Sequence, residues 1–264
     1  VVGTSGRNPI TFDNWNNSKI LAYWKYDDAT KLGKDSHSWL GRLNNIRTAL
    51  QGQQGDRRLR LGIAGGEWKK MMADATARTR FASEVKKIIE QYDFDGVDFD
   101  FEWPANASEY NNYSATVIQM RSTLGKYVYF TASLHPVSFK ISPEAIDALD
   151  FISYQCYGPA VMRFPYEQFV KDGEAAVAYG IPKNKLVMGV PFYGSTGSLI
   201  AAYCDFVNDG LATTNEDTYT YKGNTYTFNS IETIRKKARY VCEEDYAGIM
   251  SWDLATDIDI TNNK

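Results

Sequence analysis

Residues 94–104 read FDGVDFDFEWP, from Phe94 to Pro104. Acids are depleted in β-strands, yet Asp98, Asp100 and Glu102 alternate here with Val97, Phe99, Phe101 and Trp103. Residues i, i+2 and i+4 of a strand share one face. The three acids therefore point one way and the apolar residues the other. An apolar face of this kind packs on helices, as in a parallel sheet covered on its faces. The acids are then left to point into the interior of a closed sheet.

Working outward, short β-branched or aromatic runs recur along the chain. Candidate strands are Val1–Gly3, Lys19–Trp24, Leu59–Ala64, Phe94–Phe101, Tyr127–Ser133, Asp150–Cys156, Leu186–Phe192 and Ala247–Trp252. Helical spacing separates them: Leu40, Leu43, Ile46 and Leu50 fit one face, as do Phe81, Val85, Ile88, Ile89 and Tyr92. Further helices are expected near Ser108–Gly125, Pro143–Leu149 and Tyr166–Tyr179. A last one carries Ile231, Ile234, Ala238 and Val241 behind Ser230 as N-cap. Eight strands alternating with helices predict an α/β chain, a single (β/α)8 TIM barrel over residues 1–264. No strand leads into GxGxxG or a P-loop, which weakens a doubly wound nucleotide-binding alternative. Between strands seven and eight there is room for a very short insertion. Thr218–Phe228, TYTYKGNTYTF, reads as a hairpin turning at Lys222-Gly223-Asn224.

Composition narrows the function classes. The 264 residues carry a net charge of −3, with no basic excess for nucleic acid or an anionic membrane. No apolar run reaches membrane-spanning length. The only histidines are His37 and His135, and the three cysteines, Cys156, Cys204 and Cys242, show no zinc spacing; no metal and no cofactor are expected. Three thiols allow at most one bridge. The chain opens VVGTSG, without Met or apolar leader, so any signal peptide is expected to have been removed or never to have existed. Aromatic residues reach 14%, enough for some to stack on sugar faces besides filling the core.

The acidic row suggests acid–base chemistry. Crowded, desolvated carboxylates share protons rather than ionise independently. Glu102 lies furthest toward the C-terminal end of the strand, where barrel active sites are built. A carboxylic acid kept protonated there is a general acid. Asp100 and Glu102 stand only about 6.6 Å apart along one strand, at ~3.3 Å per residue, and approach a substrate from the same side. Asp100 is then poorly placed to attack the far face of a sugar. Either another strand supplies the nucleophile or a 2-acetamido group of the substrate does.

DGVDFDFEWP (Asp95–Pro104) resembles the DGxDxDxE signature of glycoside hydrolase family 18, the chitinases and endo-β-N-acetylglucosaminidases. LRLGIAGG (Leu59–Gly66) resembles the third-strand SxGG segment, with Ile63 at the Ser. ISYQ (Ile152–Gln155) resembles the sixth-strand MxYD, with Gln155 at the Asp. GVPFYG (Gly189–Gly194) and GIMSWDL (Gly248–Leu254) match strands seven and eight. The resemblance implies Glu102 as general acid then base, Asp100 as the group orienting the acetamide, Asp98 tuning Asp100, and Tyr154 donating its hydroxyl to the acetamido oxygen. Trp252 would floor the sugar pocket. Gln155, Tyr193, Trp103, Tyr23 and Trp24 are candidate substrate contacts, with Trp68 as a further rim platform.

The implied activity is retaining, substrate-assisted hydrolysis of β-1,4-linked N-acetylglucosamine in chitin, chitooligosaccharides or the N-glycan core. The partner is that saccharide alone, and a secreted, periplasmic or cell-surface monomer is expected. Two alternatives stand beside it: a non-catalytic or weakly active sugar-binding protein on the same barrel, and a barrel enzyme whose acids hold a metal.

Overall fold

The computed structural model describes residues 58–258 apart from 66, 159 and 212–214, together with 43, 44, 47, 48 and 51. The candidate strands Val1–Gly3 and Lys19–Trp24, with Tyr23 and Trp24, lie outside them, as does most of the expected Leu40–Leu50 helix. The described residues form two compact units. The first runs to Ala132 and includes Ile141–Asp150; the second comprises Ser133–Lys140 and the residues from Phe151 onward.

The first unit contains β1 (Arg60–Ala64), α1 (Trp68–Ala73), α2 (Ala75–Tyr92), β2 (Gly96–Asp100), α3 (Ala107–Leu124), most of β3 (Tyr129–Leu134) and α4 (Pro143–Ala148). β2 pairs in parallel with β1 and with β3. Side-chain caps start the helices by satisfying backbone N–H groups that have no partner within the helix. Asp74 accepts from Ala77 N–H, Asn106 from Glu109 N–H and Ser142 from Ala145 N–H. The apolar stripe of α2 (Phe81, Val85, Ile88, Ile89 and Tyr92) is buried, as expected from its spacing. Phe81 packs 5.6 Å from Phe99, and Phe99 lies 4.8 Å from Phe130.

Two acids fasten the strand starts. Asp95 Oδ2 accepts the Leu59 N–H at 2.6 Å while Asp95 N–H donates to Leu59 O at 2.9 Å. Asp150 repeats the device on Phe130: its Oδ2 accepts the Phe130 N–H at 2.7 Å and its N–H donates to Phe130 O at 2.8 Å. Gly96 is required by close approach, since a Cβ there would lie 2.0 Å from Tyr129 O.

The second unit holds the end of β3, then β4 (Phe151–Tyr154), α5 (Tyr166–Tyr179), β5 (Leu186–Pro191), α7 (Ile231–Glu243) and β10 (Gly248–Trp252). β5 pairs in parallel with β4 and β10. In hydrogen-bonding order the parallel strands run β1-β2-β3-β4-β5-β10. The class is α/β with a parallel sheet, and six of the eight expected strands fall within the described residues. Ser230 caps α7 through Thr233 N–H, as its position predicted.

The interval after β5 carries the expected hairpin and more. β6 (Tyr193–Ser195), β7 (Ile200–Ala202), the short α6 (Tyr203–Asn208), β8 (Thr218–Tyr221) and β9 (Asn224–Thr227) build an antiparallel sheet of order β7-β6-β9-β8. Lys222 and Gly223 both take positive φ (48° and 77°), the signature of a tight hairpin turn. Ala201, Phe206, Tyr226 and Phe228 form a separate apolar cluster there, flanked by Tyr203, Leu211, Tyr219 and Tyr221.

Cys156, Cys204 and Cys242 are all free thiols. Among the described residues no helix is long and apolar enough to cross a membrane.

Candidate active site

β2 places the acidic row as its alternation requires. Val97, Phe99 and Phe101 are fully buried against the helices, with Trp68 5.8 Å and Phe81 6.1 Å from Phe101. On the other face, exposure rises toward the C-terminal end: Asp98 is buried, Asp100 half-buried and Glu102 exposed. The row thus runs from an enclosed base to an open tip. A carboxyl at that tip can reach a ligand in solution.

The base of the row is heavily bonded. Arg60 donates to Asp98 Oδ1 at 3.4 Å and also to the Thr131 hydroxyl, which itself donates to Asp98 Oδ1. Register explains the meeting. Gly62 stands opposite Asp98, and Asp98 opposite Thr131, so all share one face with Arg60 two residues earlier. Ile63 stands instead opposite Phe99, on the apolar face. Strand parity therefore turns Ile63 away from the acids.

Asp95, the first acid of the signature, is occupied with the Leu59 backbone and belongs to the fold. Tyr113, on α3, is buried, and its hydroxyl has no hydrogen-bond partner among the described residues. Burial pushes its phenol well above the usual range, and the negative charges of Asp98 and Asp100 push it further. Tyr113 is thus a neutral wall beside the acids. Trp103 is half-buried directly after Glu102, across a cis peptide bond. Trp68 is buried between Phe101 and Tyr113, a core residue rather than a rim platform.

In the second unit Tyr154 ends β4, fully buried, with Phe139 edge-on at 5.8 Å. Gln155 follows, buried, its N–H bonded to Leu134 O at 2.8 Å. Tyr193 is only 8% exposed and packs with Tyr157 and Phe164 in an aromatic cluster. Trp252, at the end of β10, is 49% exposed. His135 escaped the sequence reading. It is buried; Nδ1 accepts the Val137 N–H at 3.2 Å and Nε2 faces the carbonyls of Tyr157 (3.0 Å) and Gly158. These bonds require the neutral ring protonated on Nε2, and burial, its largest influence, lowers its pKa accordingly. It ties the turn after β3 to the segment that follows Tyr154 and Gln155.

A parallel α/β sheet bearing an open-tipped row of acids at a strand's C-terminal end defines a class of scaffold, one built for acid–base chemistry in the manner of the barrel enzymes. Comparison with known proteins makes the class particular. The family model described as "Glycosyl hydrolases family 18" matches residues 10–257, and the chain belongs to that family. It is 22% identical to "Probable chitinase 2" of Drosophila melanogaster, over 78% of this chain and 58% of that protein. It is 24% identical to "Class V chitinase" of Arabidopsis thaliana, over 75% of this chain and 69% of that one. The crystal structure of the GH18 chitinase ChiB from the chitin utilization locus of Flavobacterium johnsoniae superposes with a TM-score of 0.69 at 26% identity, covering 81% of this chain and 74% of that one. The present chain thus spans little more than half the length of the Drosophila protein.

Proposed function

We propose that this chain hydrolyses β-1,4-linked N-acetylglucosamine, in chitin, chitooligosaccharides or the N-glycan core, with retention of configuration and the substrate's own acetamide as nucleophile. The observation that carries the reading is the graded row on β2, with Glu102 exposed at the tip and Asp98 buried and bonded at the base. The family membership and the chitinases among the relatives support the substrate class.

In the proposed reaction the Glu102 carboxylic acid gives its proton to the glycosidic oxygen, and the bond from that oxygen to the anomeric carbon breaks. The acetamido carbonyl oxygen closes on the same carbon to form an oxazolinium ion. Asp100 orients the acetamide N–H and offsets the positive charge. Water then attacks the anomeric carbon as Glu102, now a carboxylate, takes its proton, and the bond from that carbon to the acetamido oxygen breaks to restore the acetamide. Tyr154 is assigned the hydrogen bond to the acetamido oxygen and Trp252 the stacking face; Gln155, Tyr193 and Trp103 are assigned supporting contacts. Asp100 is spared attack on the sugar because it lies on the same strand face as Glu102.

Glu102→Gln tests the assignment, since it keeps shape and hydrogen bonding but removes the transferable proton. Turnover of a chitooligosaccharide should fall by about 10²–10⁴-fold, the usual worth of general acid catalysis, with the melting temperature unchanged. NMR of fresh product should show the β anomer first. A variant rate within a few-fold of the parent, or an initial α anomer, sinks the mechanism.

A further inference from the structure

We propose that Arg60 is a positioning residue for this hydrolysis: its charge balances Asp98, so that the outer acids, Asp100 and Glu102, hold one proton between them. The inference rests on the hydrolase reading above, and the experiments below separate the two.

The argument begins with place. Arg60 opens β1 and is registered with Gly96, while Glu102 lies six residues further along β2. At ~3.3 Å per residue that is about 20 Å along the strand, so Arg60 cannot reach a substrate held by Glu102. Its side chain is nonetheless turned inward, 17% exposed, toward an Asp98 side chain that is 4% exposed. Gly62, two positions on, and Gly96, its registered neighbour, lie on the same face.

The pairing then constrains Asp98. Its Oδ1 receives both Arg60 and the Thr131 hydroxyl, so the guanidinium charge is held against this carboxyl at the foot of the row. Three acids in line would otherwise be relieved of repulsion by binding a second proton. With one fixed cation at the base, a single proton suffices, and the general acid needs that proton at the tip.

Two other titratable groups face this cluster among the described residues. Tyr129 faces Arg60 from β3, with the Arg58 guanidinium 3.6 Å over its ring. Tyr113 faces Asp98 and Asp100 from α3 as a neutral phenol. Arg60 pairs directly with the base of the row, at Asp98.

The test is a set of pH profiles of kcat/KM on a soluble chitooligosaccharide. Arg60→Gln keeps a polar group near Thr131 but loses the charge. Its acid limb should move up by about one pH unit, the effect of one unit charge roughly 10 Å from Asp100 in a protein interior. Arg60→Lys should leave the limb within about half a unit of the parent, and Arg60→Gln/Asp98→Asn, which removes both charges, should return it.

Because activity could fail for other reasons, carboxyl ¹³C NMR titration of the same proteins reads the row without substrate. Its midpoints should rise in Arg60→Gln and not in Arg60→Lys. Should Arg60→Gln fail to fold, Arg60→Met serves in its place, and the parent–Lys comparison still decides whether charge is what matters. Superimposable profiles and midpoints for parent and neutral variant overturn the proposal, as does an equal displacement by Gln and Lys. A parent that turns over no N-acetylglucosamine substrate overturns the hydrolase reading instead, while the NMR midpoints still judge Arg60.

Discussion

Lys237 offers a stability prediction whose size follows from the structure. The side chain, on α7, is completely buried. Its Nζ donates to Phe164 O and to Asn229 Oδ1, both at 2.7 Å, and lies 4.9 Å from the Phe169 ring. Burial lowers its pKa from 10.5 to about 8. The unfolded chain therefore holds the proton that the folded chain has released between about pH 8 and 10.5. Stability must rise with pH across that window. At 1.36 kcal/mol per pH unit the rise is roughly 3 kcal/mol.

Lys237→Met removes the contribution. At pH 7 the variant is relieved of a buried charge but leaves Asn229 Oδ1 without the Lys237 donor, at about 1–3 kcal/mol, while Phe164 O keeps the Asn229 Nδ2 donor, so the two effects nearly cancel. The measurement is urea unfolding of parent and variant from pH 7 to 10. Cys156, whose buried thiol is pushed well above its usual value, acts in the opposite direction above pH 9, so the parent-minus-variant difference is the quantity to follow. That difference should grow by roughly 3 kcal/mol in the parent's favour over the full window. A difference constant with pH would refute the reasoning.

Other consequences can be checked more briefly. Gly96→Ala drives a Cβ to within 2.0 Å of Tyr129 O and should destabilise the fold by about 3 kcal/mol or more, read as a lower urea midpoint; an unchanged midpoint would show that β2 and β3 can separate freely. His135 has a lowered pKa, so the unfolded chain binds its proton first as pH falls below about 6.5; its stabilisation is complete above that pH and is lost through the folded pKa. His135→Gln should flatten the fall in melting temperature between pH 7 and 5, and equal slopes in the two proteins would count against the neutral tautomer.

Much of this was legible because the physics involved is local. Alternation fixed the faces of β2, and β4, β5 and β10 fell within a few residues of their apolar runs. Helices with polar caps were visible as well: α5 has the expected bounds and Ser230 the expected role. What stayed hidden depends on which strand lies beside which. Arg60 reads as an ordinary surface cation until register brings Asp98 and Thr131 to its side. That Ile63 stands opposite Phe99 is likewise invisible without the pairing. Asp95 looks like a fourth catalytic acid, yet its partner is a backbone N–H 36 residues away. Residue type did not separate the aromatic residues either: Trp68 and Tyr193 are packed inside, while Trp252 stands open. β6 and β7, at three residues each, are too short to show a period.

The clamp between Asp95 and Leu59 reaches further than its two bonds. A strand has only two sides, so a slip of one residue exchanges them completely. Were β2 to shift by one place against β1, Phe99 and Phe101 would enter the space kept for the acids. Asp98, Asp100 and Glu102 would then be pressed into the helices. The joint at the foot of the strand therefore acts as a keyway: an acid tied to a backbone N–H decides on which side of the sheet the other acids stand.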